Sequence, residues 1–219
     1  MPRLLFEKKG NAVWISHLDL MRLFQRAFKR AGLPLKHTQG FNPRPSVSIA
    51  LPLSVGVESS CELMDFDLDC EYTNWEMLPQ LLNSVLIEGV RVIQVYHDGR
   101  KIRDLALMKS TITLKYDNCL TTDAADAISS LLSSSVLTVT KKTKSGPQEQ
   151  DIIPMIRDFQ VKATGESVIK INLMHCCQNP TLNPMQIPVA IAKYLPELSP
   201  DFCSCARVEI YDVNETVFR

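Results

Sequence analysis

The spacing of the apolar residues changes several times along this chain. The order of those changes constrains the fold more than any other feature of the sequence. Over residues 1–97, runs with the two-residue period of strands and runs with the 3.6-residue period of helices alternate. Their order is strand, helix, strand, strand, helix, strand. The same order returns over residues 108–219, with an additional segment inside the second series. A chain patterned in this way must bury one face of a sheet beneath two helices, and must do so twice.

This order predicts an α+β protein built from two tandem ferredoxin-like (βαββαβ) units, the second with an insertion. The predicted units are residues 1–97 and residues 108–219. The stretch "DGRKIRDLAL", residues 98–107, is charged and contains a glycine, so we predict that it is the linker. The two halves share the pattern but no residue-level identity.

The first helix has clear boundaries. Ser16, followed three residues later by Asp19, predicts a capped start, and the apolar period predicts a helix from about His17 to Ala31. Gly32 is expected to end it. Leucines, phenylalanines and alanines share one broad face, which we expect to pack on the sheet.

Other elements of both units are predicted with less regular patterns. "CELMDFDLDCEY", residues 61–72, alternates apolar and acidic residues and predicts a half-buried strand with an acidic solvent face. Residues 73–89 predict a helix that Pro79 kinks. Residues 135–146 predict the start of a hairpin, and residues 147–164 an irregular excursion.

Composition places the chain among cytoplasmic proteins. Of the 219 residues, 45% are hydrophobic, which is enough for a sizeable core. No apolar run reaches membrane-spanning length, and the basic N-terminus leads into no signal-peptide core. We therefore expect a cytoplasmic protein that does not contact the membrane.

The cysteines leave one question open. Seven cysteines without a framework spacing predict reduced thiols. The sequence also has no Gly-rich phosphate loop, no dinucleotide fingerprint and no cluster-binding cysteine triplet, so we expect no cofactor. The spacing is not that of a usual zinc knuckle, and it leaves open whether the "HCC" and "CSC" segments meet to bind a metal. The residues concerned are His175, Cys176, Cys177, Cys203 and Cys205.

Charge is unevenly distributed although the formal net charge is zero. Residues 1–45 carry nine lysines and arginines against only Glu7 and Asp19, whereas residues 46–72 carry six acids and no lysine or arginine. Two interpretations remain open at this point. The basic segment is either a footprint for an anionic partner, or a neighbour of the acidic segment that neutralises it in the fold.

The first helix carries a row of cations opposite its apolar face. Arg22, Arg26 and Lys29 follow one another at helical spacing, and Arg30 flanks them. Such a row is either an ordinary solvated face or a series of phosphate contacts. The helix supplies only Asp19 as a compensating acid, and a basic loop follows directly. These two features favour phosphate contacts.

That loop is "HTQGFNPRPS", residues His37–Ser46. Gly40 is expected to take a positive φ, while Pro43 and Pro45 fix the backbone around their neighbours. Phe41 is either a stacking platform for a base or a core residue. The predicted nucleic-acid-binding residues are Arg22, Arg26, Lys29, Arg30, His37, Gln39, Phe41, Asn42 and Arg44.

The stretch "SHLDLMRLFQRAFKRAGLPLKHTQGFNPRPSVSIALPLSVGVESSCE" resembles the N-terminal signature of a bacterial family of unknown function, the radical-SAM-linked proteins. The motifs that carry the resemblance are SHLD, the basic helix, TQGFNP and the Leu-Pro-Leu turn. Members of this family occur beside, or fused to, a cobalamin-type radical SAM protein. The resemblance therefore implies a radical SAM protein as partner and a bacterial, cytoplasmic setting. It covers about the first quarter of the chain and supplies no established activity.

Together these features predict an RNA- or polyanion-binding accessory that presents a substrate to a radical SAM enzyme. A first alternative is a metal-independent endoribonuclease, by fold analogy with the CRISPR repeat-processing enzymes, which use tandem ferredoxin-like units. Its candidate catalytic residues are His37 and His17. The helix between them spans about 22 Å, which keeps the two imidazoles apart unless the loop folds back. A second alternative is a scaffold whose basic surface docks an acidic partner.

Overall fold

The computed structural model describes residues 1–143 and 146–219, and it shows an α+β protein. The chain divides into two compact units. Unit 1 comprises Met1–Asp104 together with Val217–Arg219, and unit 2 comprises Leu105–Thr216. Within the described residues, no helix has both the length and the apolar character needed to cross a membrane.

Unit 1 contains four strands and two α-helices. The strands are β1 (Arg3–Lys8), β2 (Val47–Ile49), β3 (Glu58–Phe66) and β4 (Val90–Tyr96), and the helices are α1 (His17–Arg30) and α2 (Leu78–Asn83). Along the sheet the strands lie in the order β4, β1, β3, β2, and each neighbouring pair is antiparallel.

Helix α1 packs its apolar face onto this sheet, as its periodicity predicted. The Phe24 ring lies 4.7 Å from that of Phe6, and the Phe28 ring lies 5.0 Å from that of Phe66. All four side chains are fully buried. Burial of each ring stabilises the fold by roughly 1.5–3 kcal/mol, so this contact fixes the orientation of α1.

The prediction for the acidic strand was wrong in two respects. β3 ends at Phe66, and Glu62 is fully buried instead of facing solvent. A buried cation, Lys8, lies near it on the neighbouring strand. Burial lowers the pKa of Lys8, and the nearby negative charge of Glu62 opposes that shift. Lys8 also donates hydrogen bonds to the carbonyls of Val13 and Ile15, at 3.1 and 2.8 Å.

The second predicted helix is also shorter than its pattern indicated. A 3-10 turn over Trp75–Met77 precedes α2, and α2 ends at Asn83. Pro79 lies in the first turn of α2, where its missing N–H has no intrahelical partner to lose. It therefore starts a helix and does not kink one.

The described residues of unit 2 form six strands and two α-helices. The strands are β5 (Leu105–Lys115), β6 (Thr138–Thr143), β7 (Gly146–Asp151), β8 (Ile156–Gly165), β9 (Val168–Cys176) and β10 (Phe202–Asp212). The helices are α3 (Ala124–Leu132) and α4 (Gln186–Tyr194). Four of the strands lie in the antiparallel order β10, β5, β9, β8.

The remaining two strands form the predicted hairpin, because β6 pairs antiparallel with β7. Residues 144 and 145, which belong to the predicted hairpin, lie outside the described residues. The prediction of an irregular excursion over 147–164 was wrong, since β7 and β8 occupy most of it. β8 is ordered by its pairing with β9, a partner that its own irregular pattern does not reveal.

Candidate nucleic-acid interface

Ser16 caps the start of α1, as predicted. The Asp19 amide donates to the Ser16 hydroxyl at 3.2 Å, and that hydroxyl donates to Asp19 Oδ2 at 2.7 Å. Arg22 Nη1 lies 3.0 Å from Asp19 Oδ1. The Ser16 hydroxyl and, after it, Arg22 lower the pKa of the Asp19 carboxyl. The one acid of this helix is thus already engaged at its first turn.

The end of α1 turns the chain back beside the helix. Gly32 has a φ of +72°, in the left-handed region that favours glycine. The Gly32 and Leu33 amides donate to the carbonyls of Lys29 and Phe28, at 3.2 and 3.0 Å. These two bonds are those of a Schellman motif. Leu33 and Leu35 are then buried, which anchors the segment that leads into the loop.

The cation row of α1 faces solvent. Arg22, Arg26, Lys29 and Arg30 are all exposed. Within the described part of the chain, Arg22 pairs with Asp19, and no ion pair involves the other three. The uncompensated charge of α1 is therefore concentrated on one exposed face.

The acidic segment neutralises other cations. Arg3 binds Asp65 through two contacts of 2.6 and 2.9 Å, and Lys36 Nζ lies 3.5 Å from Asp67. The interpretation that the acidic segment neutralises its neighbours in the fold thus holds for some of the cations. Neutralisation accounts for cations on β1 and at the start of the loop. It leaves the row on α1 available for an external anion.

The loop over residues 37–46 is held at its base by two hydrogen bonds between Thr38 and Arg44. The Thr38 amide donates to the Arg44 carbonyl at 2.8 Å, and the Arg44 amide donates to Thr38 Oγ1 at 3.1 Å. His37 and Pro45 form a β-bridge just below. Gly40, at the tip, has a φ of +136°, which confirms the predicted positive φ. The loop is a closed turn with a defined backbone.

The side chains of this loop project into solvent. His37, Gln39, Asn42 and Arg44 are exposed. Phe41 has a relative exposure of 106%, so it makes no contribution to the core. Of the two fates that the sequence left open for Phe41, burial in the core was wrong. An aromatic ring held fully in solvent at the tip of a closed loop is free to stack on a ligand.

A groove of about 650 Å³ lies between α1 and the segment that follows it. Helix α1 contributes Arg22, Gln25, Arg26 and Lys29 to its lining. The following segment contributes Leu33, Pro34, Leu35, His37 and Pro45. The volume falls within the range of about 300–1,000 Å³ that is usual for ligand sites. The groove therefore has a cationic wall and a largely apolar wall.

The lining of the groove includes some of the predicted residues and not others. Arg22, Arg26, Lys29 and His37 line it together. Its lining does not include Arg30 or the loop residues Gln39, Phe41, Asn42 and Arg44. Gln25 was missed by the sequence reasoning, although its spacing of three from Arg22 and four from Lys29 would have indicated it.

The two candidate catalytic histidines have different positions. His37 lines the groove, whereas His17, at the first position of α1, is not part of its lining. The arrangement therefore provides one imidazole near the cation row and no histidine pair.

The cysteine segments form no metal site in the described residues. His175 is fully buried and lies 2.9 Å from the Ser110 hydroxyl. Burial lowers its pKa to about 4, so the imidazole is neutral. Burial also raises the pKa of Cys177 to about 12 and that of Cys205 to about 11, as expected for unreactive core thiols.

A family described as "Uncharacterized protein conserved in bacteria (DUF2344)" matches residues 2–184. The chain belongs to this family. The match extends well beyond the first quarter of the chain that carries the sequence resemblance. It includes every lining residue of the groove and the whole loop, so both features lie inside the part that defines DUF2344.

Solved structures resemble this DUF2344 protein in fold only. A chain of a Cbf5–Nop10–Gar1 complex matches it with a TM-score of 0.55 at 6% identity, over 95% of this chain and 48% of that chain. The DUF2344 chain thus spans about half the length of that chain. A protein from Galdieria sulphuraria reaches a TM-score of only 0.27 at 9% identity, over 94% and 97% of the two chains, and carries no argument. No curated protein matches.

Proposed function

We propose that this DUF2344 protein binds RNA at the groove of unit 1 and presents it to a radical SAM enzyme. The observation that carries the proposal is the exposed row of Arg22, Arg26 and Lys29 along one wall of a groove of about 650 Å³. Cations spaced along a helix face suit a chain of phosphates, because each neutralises one phosphate and releases its counterion.

The loop beside the groove supports the same function. Its closed backbone holds Gln39, Asn42 and Arg44 in solvent, where amides and a guanidinium can contact base edges or phosphates. Little backbone entropy remains to be lost when such a loop binds. The groove and the loop are adjacent, since His37 and Pro45 belong to both.

The radical SAM partner is proposed from the family resemblance in residues 16–62. The chain itself has no cysteine triplet that would bind an iron–sulfur cluster, so any radical chemistry belongs to the partner. To test this partnership, RNA crosslinked to the protein in cells would be sequenced, and its nucleosides would be identified by mass spectrometry. Loss of a modified nucleoside is expected when the gene of the proposed radical SAM partner is deleted, and an unchanged nucleoside profile would contradict the partnership.

We also propose that both units are ferredoxin-like. In unit 1 the order β4, β1, β3, β2 places the fourth, first, third and second strands side by side. In unit 2 the order β10, β5, β9, β8 is equivalent once the β6–β7 hairpin is treated as the insertion. An experimental structure with another strand order in either unit would refute this assignment.

Charge reversal on α1 tests RNA binding. The triple variant Arg22→Glu, Arg26→Glu, Lys29→Glu should lose RNA binding in a fluorescence-anisotropy titration. Its melting temperature should change little, because exposed substitutions usually alter stability by about 0.5 kcal/mol or less. The matched control reverses three exposed cations of unit 2, Arg157, Lys162 and Lys170. Equal loss of binding in both triple variants would show that only total charge matters, and the proposal would fail.

One observation favours RNA cleavage as a second candidate function. His37 lines the same groove as Arg26 and Lys29, so an imidazole for proton transfer lies near cations that stabilise a phosphorane-like charge. Cleavage of bound RNA in the presence of a chelator, and its loss in His37→Ala but not in His17→Ala, would establish the activity. If the RNA stays intact after prolonged incubation, the protein binds RNA without cleaving it.

A further inference from the structure

The groove has a cationic wall and an apolar wall. Phosphate binding requires the cationic wall but not the apolar one. Arg22, Arg26 and Lys29 supply charge, whereas the prolines and leucines of the segment after α1 supply apolar surface. A surface that contacted only the outside of a duplex would need the cations alone. An apolar wall suits the flat face of an unpaired base or a ribose instead.

Phe41 offers a second apolar surface for a base, outside the lining of the groove. Its relative exposure of 106% means that folding gains nothing from this ring. Yet the loop that carries it is closed by the mutual hydrogen bonds of Thr38 and Arg44, at 2.8 and 3.1 Å. The chain therefore holds a large apolar ring in water, on a closed loop whose His37 and Pro45 line the cationic groove. When the ring stacks on a base, it is removed from water. Every base has a flat aromatic face on which a phenylalanine ring can stack.

A double helix cannot satisfy these two apolar elements. In a duplex the base faces are stacked on one another, and the deep major groove of A-form RNA excludes side chains. Only an unpaired strand presents base faces to Phe41 while its phosphates follow the cations of α1. A simple polyanion such as polyphosphate has no aromatic ring that could stack on Phe41.

We infer that the ligand of this site is single-stranded RNA, with phosphates along Arg22, Arg26 and Lys29 and one unpaired base stacked on Phe41. This inference rests on the proposed function and narrows its substrate class. Discrimination between single and double strands resides in Phe41 and the apolar wall, whereas affinity for phosphate resides in α1.

The test compares three probes by fluorescence anisotropy: a mixed-sequence 12-nucleotide RNA, its perfect duplex, and inorganic polyphosphate as competitor. The wild-type protein should bind the single strand more tightly than the duplex. Phe41→Ala should weaken single-strand binding about 5- to 150-fold and leave duplex binding unchanged. The matched control is Phe202→Ala, another exposed phenylalanine, in unit 2, which should bind like the wild type.

The outcomes separate this inference from the proposed function. The inference is overturned if the wild type binds single strand and duplex equally, or if Phe41→Ala binds the single strand normally. Neither result contradicts the proposed function of RNA binding. A loss of equal size on both probes also overturns the inference, because Phe41 would then support the site and not the base. No binding of any RNA by the wild type refutes the proposed function itself. Because Phe41 is exposed, its replacement should leave the thermal melt unchanged, and the melt verifies folding.

Discussion

At the scale of single residues, His175 is an ionisable group enclosed in the core of unit 2. Its ring nitrogens lie 2.9 Å from the Ser110 hydroxyl and 3.2 Å from the Cys176 carbonyl. Burial holds its pKa at about 4, below the ordinary value of 6.5. Between pH 6.5 and about 4 the folded protein therefore keeps a neutral imidazole, whereas the unfolded chain would carry a proton there.

This difference predicts a pH dependence of stability. Between pH 6.5 and about 4 the unfolded chain binds a proton that folded His175 does not, so the free energy of unfolding falls as the pH falls. The loss is on the order of 3 kcal/mol at most. Urea denaturation of His175→Gln should show a shallower fall over this window than the wild type. The control is His97→Gln, at an exposed histidine, and equal slopes for all three proteins would refute the prediction.

At the scale of elements, the closed loop over residues 37–46 depends on one backbone conformation. Gly40 has a φ of +136°, and a side chain built there would meet no atom within 4 Å. Any cost of a substitution thus comes from the backbone and not from a clash. β-branched side chains tolerate this region poorly, at about 1–3 kcal/mol for a strained residue.

Gly40→Val should therefore lower the free energy of unfolding by about 1–3 kcal/mol, or weaken RNA binding if the loop relaxes into another shape. Both are measured on one preparation, by urea denaturation and by anisotropy. Gly165→Val is the matched control, because Gly165 also has open space around it but no positive φ. If Gly40→Val matches the wild type in both measurements, the loop does not rely on this conformation.

At the scale of the whole molecule, unit 1 takes residues from both ends of the chain. Phe218 is fully buried, with Arg3 Cζ 5.5 Å and Arg100 Cζ 5.1 Å from its ring centroid. Removal of a buried phenylalanine costs about 3–5 kcal/mol. Phe218→Ala should lower the denaturation midpoint accordingly, whereas the exposed Phe202→Ala should not. A loss below about 1 kcal/mol would mean that the terminal segment is dispensable.

The distribution of charge over the molecule predicts how salt affects RNA binding. The formal net charge is zero, so the proposed attraction depends on local charge, which we assign to the row on α1. If Arg22, Arg26 and Lys29 each contact one phosphate of a single strand, log K should fall with log salt concentration at a slope of about −2. A titration series in potassium chloride measures it. A slope steeper than about −5 would place most contacts elsewhere on the surface.

Helix α1 and its caps could be predicted from the sequence because their causes are local. The hydrogen bonds of Ser16 and the φ of Gly32 involve residues within one or two turns, and the apolar period alone selects the buried face. The exposure of β3 could not be predicted in this way. Glu62 is buried near Lys8 of another strand, and no local pattern indicates that neighbour.

The sequence by itself determined that Arg22, Arg26 and Lys29 share one helix face and that Gly40 bends the loop. The tertiary structure decided that His37 and Pro45 line the same groove as that face, and that Phe41 stays in solvent. The path of the loop is set by remote contacts, such as the 2.9 Å hydrogen bond from the Lys36 amide to the Asp67 carbonyl. Helical spacing is a short-range property of the backbone, whereas a groove exists only once distant segments have packed together.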